Sequence, residues 1–196
     1  MDSGIGKKYD KIAKWWHENH VNSSYGLEQI ERAVRYCNQK GSALDVGCGS
    51  GGRIIRKLIQ ENFTVYGIDA SAEMIAIAQS EHKDINFINC NIIDWESDQK
   101  FDLIIAWDSI FHLPMAQQNP VIAQLCRMLK DSGILIYTFG DAVDEHESEW
   151  HGDHFPYSSI GISGNLNTIM EGGCECLHLE LDQYPENHVY IIAQKR

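Results

Sequence analysis

Ala43-Leu44-Asp45-Val46-Gly47-Cys48-Gly49-Ser50-Gly51-Gly52 decides how the rest of the chain is read. An apolar run that ends in a glycine-dense turn and passes straight into the stripe Ile54, Ile55, Leu58, Ile59 predicts a strand, a tight turn and a helix. Glycine takes positive φ without steric cost and lets a ligand approach main-chain N–H groups with no Cβ in the way. The helix start adds further unpaired N–H donors. Together these features predict a pocket for a nucleotide-like cofactor.

Gly47, Gly49 and Gly52 satisfy the G-x-G-x-x-G spacing of dinucleotide sites, and Asp69 ends the next strand about 20 residues on. Asp45 argues against a dinucleotide. Its carboxylate would lie roughly 5 Å from a pyrophosphate, and at an effective dielectric near 20 each such like-charge pair costs about 3 kcal/mol. A ligand that presents an ammonium and a sulfonium to that corner, as S-adenosylmethionine does, turns the repulsion into attraction. Leu44-Asp45-Val46-Gly47-Cys48-Gly49-Ser50-Gly51, followed by Gly67-Ile68-Asp69-Ala70-Ser71, resembles motifs I and II of class I S-adenosylmethionine-dependent methyltransferases.

The resemblance implies an α/β fold. Its mostly parallel seven-stranded sheet would run in the order 3-2-1-4-5-7-6, with the last strand antiparallel and helices on both faces. It implies a cofactor pocket built from Asp45, Gly47, Cys48, Gly49, Ser50, Gly51, Asp69, Ala70 and Met74, with Cys48 a backbone contact. A fixed carboxylate at a strand end can accept hydrogen bonds from both hydroxyls of a ribose, which suits Asp69. Related families carry an acid after the third strand to accept from the adenine amino group. The matching residue here is Asn91, a neutral acceptor without charge assistance, with Asp94 as the alternative and Ile92 offering an apolar face to the ring.

The chain has 196 residues, enough for a single domain over positions 1–196 with one core. Its 16 basic and 28 acidic side chains leave a net charge of −12, which disfavours nucleic acid and anionic membrane as partners and favours a small-molecule acceptor. Met1 to Lys8 contain no apolar signal run and no later stretch is long enough to span a bilayer, so a cytoplasmic location is expected. The cysteines at 37, 48, 90, 126, 174 and 176 show no C-x-x-C pair and read as reduced core residues, with no zinc or other metal site assigned.

Two amphipathic helices precede the first strand, marked by Tyr9, Ile12, Ala13, Trp16 and by Leu27, Ile30, Ala33, Val34, Cys37. They form a helical cap over residues 1–39 beside the cofactor mouth, from which Tyr9 or Tyr25 can reach the cofactor carboxylate. Phe63–Asp69 reads as a buried strand, with Ser71 the N-cap of the next helix. Phe101–Ala106 reads as a fourth strand, whose exit brings Trp107, Asp108 and His112 to the crevice. Asp108 and His112 are the catalytic candidates, His112 because an ordinary imidazole can act as a general base near neutrality. Asn119-Pro120 reads as a helix start. Ile134–Phe139 is the fifth strand, and Leu177–Asp182 with Val189–Ala193 is a closing antiparallel hairpin.

Residues 140–158 hold three histidines among six acids, without helix or strand periodicity, and are expected to form a loop serving as lid or acceptor contact. His151, His154 and Tyr157 are expected to converge there with Tyr25, Trp107, Asp108 and His112. The reading that follows is methyl transfer to a small molecule. A nicotinamide-dependent oxidoreductase and a non-catalytic S-adenosylmethionine-binding module stand as alternatives.

Overall fold

The computed structural model describes residues 4–196; Met1 to Ser3, part of the N-terminal segment read above, lie outside the described residues. The chain opens with α1 (Gly4–His20) and α2 (Leu27–Tyr36) and enters the sheet at β1 (Ser42–Val46). There follow α3 (Arg53–Gln60), β2 (Thr64–Asp69), α4 (Ala72–Glu81), β3 (Asn86–Asn89), β4 (Phe101–Ala106), a 3₁₀ turn (Ile110–His112), α5 (Met115–Arg127) and β5 (Leu129–Gly140). The chain ends with β6 (Val143–Trp150), β7 (Asp153–Ile160), α6 (Gly161–Glu171), β8 (Cys174–Leu181) and β9 (His188–Lys195).

The seven-stranded sheet runs β3-β2-β1-β4-β5-β9-β8. Counting only its own strands, this is the expected 3-2-1-4-5-7-6. β1 pairs parallel with β2 (Asp45 opposite Gly67) and with β4 (Asp45 opposite Ile105), whereas β9 is antiparallel to β5 and β8. Alternation along the strands divides the core. Leu103, Ile105, Ile134, Ile136, Tyr190 and Ile192 pack on one face with Ile30, Ile55 and Leu58 of α2 and α3. Ile104, Ala106, Leu135, Tyr137, Ile191 and Ala193 pack on the other with Leu125 and Ile169 of α5 and α6. Both faces of these strands are covered, which is why their sequence is a continuous apolar run.

Three elements differ from the sequence reading. Residues 140–158 do not form a loop: Val143–Trp150 and Asp153–Ile160 pair as an antiparallel hairpin apart from the main sheet. Seven of the eight residues of β6 are exposed, so no buried face imprints an alternation on them. Pro120 does not start a helix. α5 begins at Met115, directly after Pro114, and Pro120 lies inside it, while the Asn119 side chain accepts from Thr168 Oγ1 of α6 at 2.8 Å. α6 itself, rich in glycine and asparagine, carries no clear apolar stripe in sequence. Ser71 is the expected N-cap, its Oγ accepting from Met74 N at 3.1 Å. All six cysteines are free, but Cys176 is exposed rather than core.

Two glycines fix the carboxyl edge of the sheet. Gly47 has φ +76°, and a Cβ there would lie 2.3 Å from Ser109 Cβ, so the exits of β1 and β4 touch with no room for a methyl group. Gly6 lets α1 lie on the β2–α4 turn, where a Cβ would meet the Ala70 carbonyl oxygen at 2.2 Å. Gly47→Ala combines this clash with a left-handed backbone, and is expected to lower stability to urea by roughly 2–4 kcal/mol. Ser109→Gly in the same chain should restore part of the loss; an unchanged urea midpoint in Gly47→Ala would contradict the contact.

Candidate active site

At the carboxyl ends of β1, β2 and β4, beneath α1, lies a cavity of about 250 Å³. Such a strand-end crevice is where open α/β sheets bind ligands. Asp45, Gly47, Cys48, Gly49, Ser50, Asp69, Ala70, Met74, Asn91, Ile92, Tyr25, Trp107, Asp108 and His112 all line it. Gly51 does not: it turns toward α4, and its carbonyl accepts from His82 Nε2 at 2.7 Å. Gly52 and Arg53 border the cavity in its place. Asn91 rather than Asp94 faces the cavity; its Oδ1 accepts from Ile93 N at 3.1 Å, and Asp94 is exposed.

Asp69 builds the turn as well as lining it. Its Oδ2 accepts from Gly49 N and its Oδ1 from Ser71 N, each at 2.8 Å, so one carboxylate holds together the ends of β1 and β2. Each oxygen keeps lone pairs for a ligand. Burial pushes its carboxyl up to about 6, against the pull of those two amides. Asp45 is 2 % exposed, and no side-chain hydrogen bond among the described residues reaches it. Burial, with a smaller contribution from Asp69, raises its carboxyl to about 7, although Arg53 pulls the other way. A buried carboxylate without a protein partner, under a glycine turn that a Cβ would fill, fits a cationic ligand and not a pyrophosphate.

The other half of the cavity is aromatic. Tyr9, Trp16, His20, Tyr25, Trp107 and His112 surround it. Trp16 stacks on His20 at 4.0 Å and meets Tyr9 edge-on at 5.8 Å. His112 is 6 % exposed and has both ring nitrogens engaged. Nδ1–H donates to the Pro156 carbonyl at 2.8 Å, which leaves Nε2 to accept from the Tyr9 hydroxyl at 2.9 Å. Burial lowers its imidazole to about 4, and burial likewise raises the Tyr9 phenol far above its ordinary value. Both groups are neutral near pH 7. This is a poor setting for the general base that the sequence had offered in His112.

Asp108 has φ +50° and is held there by Thr138, whose Oγ1 accepts from Asp108 N at 2.8 Å and donates to Oδ1 at 3.2 Å. Tyr25 lies against the Trp107 edge, ring centroids 6.0 Å apart, with its hydroxyl taken by Gln183 Nε2 at 2.7 Å. The Tyr9 hydroxyl spends its proton on His112, whereas Tyr25 accepts from Gln183 and keeps its own proton to donate. Arg53, missed in sequence because it reads as an ordinary helix residue, borders the same half and lies over the Tyr25 ring at 5.3 Å.

The hairpin forms a second layer. Phe155 packs on Tyr9 at 5.3 Å, Tyr157 stacks on Phe111 at 5.5 Å, and Ser158 Oγ donates to the Leu113 carbonyl at 2.5 Å. His151 lies on Trp15 at 4.1 Å and His154 offers its carbonyl to Lys8, so the hairpin comes to the site as expected but His151, His154 and Tyr157 do not line the cavity that His112 lines.

A methyltransferase domain model matches residues 43–133. The chain is 30 % identical over 168 residues to a ubiquinone biosynthesis O-methyltransferase of Rickettsia felis, covering 74 % of this chain and 68 % of that one. It is also 30 % identical to a trans-aconitate 2-methyltransferase of Escherichia coli, over 67 % of this chain but 55 % of the longer enzyme. In fold it resembles the 1,6-didemethyltoxoflavin-N1-methyltransferase of Burkholderia thailandensis bound to S-adenosylhomocysteine. There the TM-score is 0.76 at 12 % identity, over 97 % of this chain and 87 % of that one. Fold, glycine turn and relatives define a methyl-transferring enzyme of the α/β class. The chain belongs to the S-adenosylmethionine-dependent methyltransferases.

In the ligand-free protein Asp45 takes up a proton below about pH 7. That proton must leave before the carboxylate can pair with the cofactor ammonium, so affinity should rise with pH through 7 and fall below it, by at most tenfold per unit. Calorimetry with S-adenosylhomocysteine between pH 6.5 and 8.5, above the Asp69 titration near 6, checks this. Asp45→Asn should remove the slope, and a slope that survives in Asp45→Asn would mean another group pairs with the ligand.

Proposed function

We propose that this protein methylates a small molecule that enters the aromatic half of the cavity and presents an O–H or N–H to Asp108. The observation that carries the reading is the strand-end cavity of about 250 Å³ beneath α1, bounded by Tyr9, Trp16, Tyr25 and Trp107, a concave aromatic site of the kind that suits a small ligand. The net charge of −12 supports the same choice, since it repels nucleic acid and anionic lipid. Free thiols throughout suit a reducing compartment such as the cytoplasm.

Asp45 would hold the cofactor ammonium, Asp69 the ribose hydroxyls, and Asn91 with Ile92 the adenine. S-adenosylmethionine supplies an electrophilic methyl on a sulfonium, which leaves as a thioether when the acceptor lone pair takes the methyl. The protein's part is placement and dryness. Tyr9, Trp16 and Trp107 exclude water, the neutral Tyr9–His112 pair fixes one wall, and Asp108 accepts the acceptor's proton. Residues 1–39 act as cap and 140–158 as the brace behind it.

Calorimetry should show saturable binding of S-adenosylhomocysteine at one site per chain and no heat with NADH; the reverse result would replace the reading with a nicotinamide enzyme. Asp69→Ala should weaken S-adenosylhomocysteine by about 1.5–3 kcal/mol, the scale of hydrogen bonds to a charged group, with far-UV circular dichroism unchanged. Full affinity in a folded Asp69→Ala would place the ribose elsewhere.

A further inference from the structure

His188, absent from the cavity wall, reaches Asp108 from behind. It is the first residue of β9 and lies opposite Gly140, the last residue of β5. Its Nε2 is 3.0 Å from Asp108 Oδ1 and its Nδ1 is 2.6 Å from Asp182 Oδ1. The three side chains come from the exit of β4, the β8–β9 turn and the start of β9. Each end of the chain is anchored: Asp182 Oδ2 accepts from Gln29 Nε2 of α2 at 3.0 Å, and Asp108 is held by Thr138. Of the two His188-facing carboxylates, Asp182 has only 4 % of its side chain exposed.

We infer that His188, oriented by Asp182, is a positioning residue that holds the Asp108 side chain aimed at the reacting centre, so that the enzyme selects acceptors presenting a cation, N–H or O–H. The inference rests on the methyl-transfer reading above and names a residue set for its acceptor side.

A carboxylate oxygen beside each ring nitrogen favours a proton on each, as the imidazolium has, although the Gln183 Nε2 amide, itself a donor, faces Nδ1 as well. Burial disfavours that cation, but the hydrogen bonds to Asp108 and Asp182 outweigh it and raise His188 above its ordinary value. The remaining groups facing His188 are uncharged. They are the Tyr25 hydroxyl at 3.5 Å, the Gln183 amide at 2.8 Å from Nδ1, and the Trp107 ring at 5.7 Å. Arg53 lies on the cavity side, where the Asp108 charge acts on it. The Asp108 charge also acts on Tyr9, Tyr25 and His112, the titratable groups around the acceptor end. A charge felt by all of them stands where an acceptor would. The Tyr9 hydroxyl and His112 Nε2 are taken up by each other, which leaves Asp108 as the carboxylate at that end of the cavity.

Sinefungin, which carries an amine-bearing carbon in place of the sulfonium, places a positive charge where the methyl group would be. Calorimetry of sinefungin and S-adenosylhomocysteine at pH 7.5 therefore reads the Asp108 field without any acceptor. The wild type should favour sinefungin by about tenfold or more, the scale of a hydrogen bond between charged groups. Asp108→Asn should abolish that preference. His188→Asn and the isosteric Asp182→Asn should each reduce it at least threefold while leaving S-adenosylhomocysteine affinity within about twofold. A preference equal to wild type in folded His188→Asn and Asp182→Asn overturns the inference. Loss of S-adenosylhomocysteine binding in the wild type overturns the cofactor reading instead. In that case ¹⁵N NMR of His188 still decides the inference. The imidazolium should persist above the ordinary histidine range in wild type and retreat in Asp182→Asn, and a neutral ring at pH 7 in the wild type would refute it.

Discussion

The close passage of the Gly47 turn against Ser109 governs how everything else at the carboxyl edge is placed. β1 and β4 are adjacent central strands, and their exit turns can touch only because one of them carries no side chain. With that contact made, the Gly49 amide falls within reach of Asp69 on β2, and the Ser71 amide binds the second oxygen of the same carboxylate. Ser71 then caps α4 while its hydroxyl donates to Asp10 Oδ1 of α1 at 2.6 Å. A single packing constraint is thus carried outward through a carboxylate and a cap to the helix that roofs the cavity.

The antiparallel finish of the sheet has a chemical consequence. In a parallel sheet every strand delivers its last residue to the ligand edge, and a helix must return the chain to the far side. An antiparallel strand begins where its neighbours end. β9 therefore offers its first residue, His188, beside the last residue of β5, and β8 sends its exit, Asp182, to the same place. Two residues only six positions apart approach Asp108 across about 80 positions of sequence. The hairpin that closes the fold is in this way also part of the site.

What could be read in the sequence followed from how local each signal was. The strand–turn–helix at Ala43–Leu58, the strand-end position of Asp69, the cap at Ser71 and the apolar β4 are set by neighbouring residues and stand as read, whereas β5 begins at Leu129, ahead of the apolar run at Ile134 that marked it. The β6–β7 hairpin was illegible because burial imprints period two on a strand, and β6 is exposed along nearly all its length. α5 was placed late because Pro120 resembles a first-turn proline, whereas Pro114 stands at the start of that helix and Gln118, between them, donates to Ile110 O at 2.9 Å and Ser158 Oγ at 3.0 Å. The catalytic candidates show the same division. Asp108 and His112 share one loop and were visible together, but what separates them comes from residues far off in the chain. Tyr9 and Pro156 close off His112, and His188 supports Asp108.

The electrostatics of the cavity then follow from which groups are left unpaired. Tyr9 and His112 satisfy one another, and burial drives their titrations away from neutrality in opposite directions, so that wall is rigid and uncharged. Burial, and after it the charge of Asp69, disfavours ionisation of Asp45, a cost that a cationic ligand would offset. Asp108 differs from Asp45 in having protein partners, with His188 Nε2 at 3.0 Å and Thr138 Oγ1 at 3.2 Å from its Oδ1. In the proposed reading a cofactor ammonium would settle Asp45, and an acceptor would meet Asp108 at the other end of the same cavity.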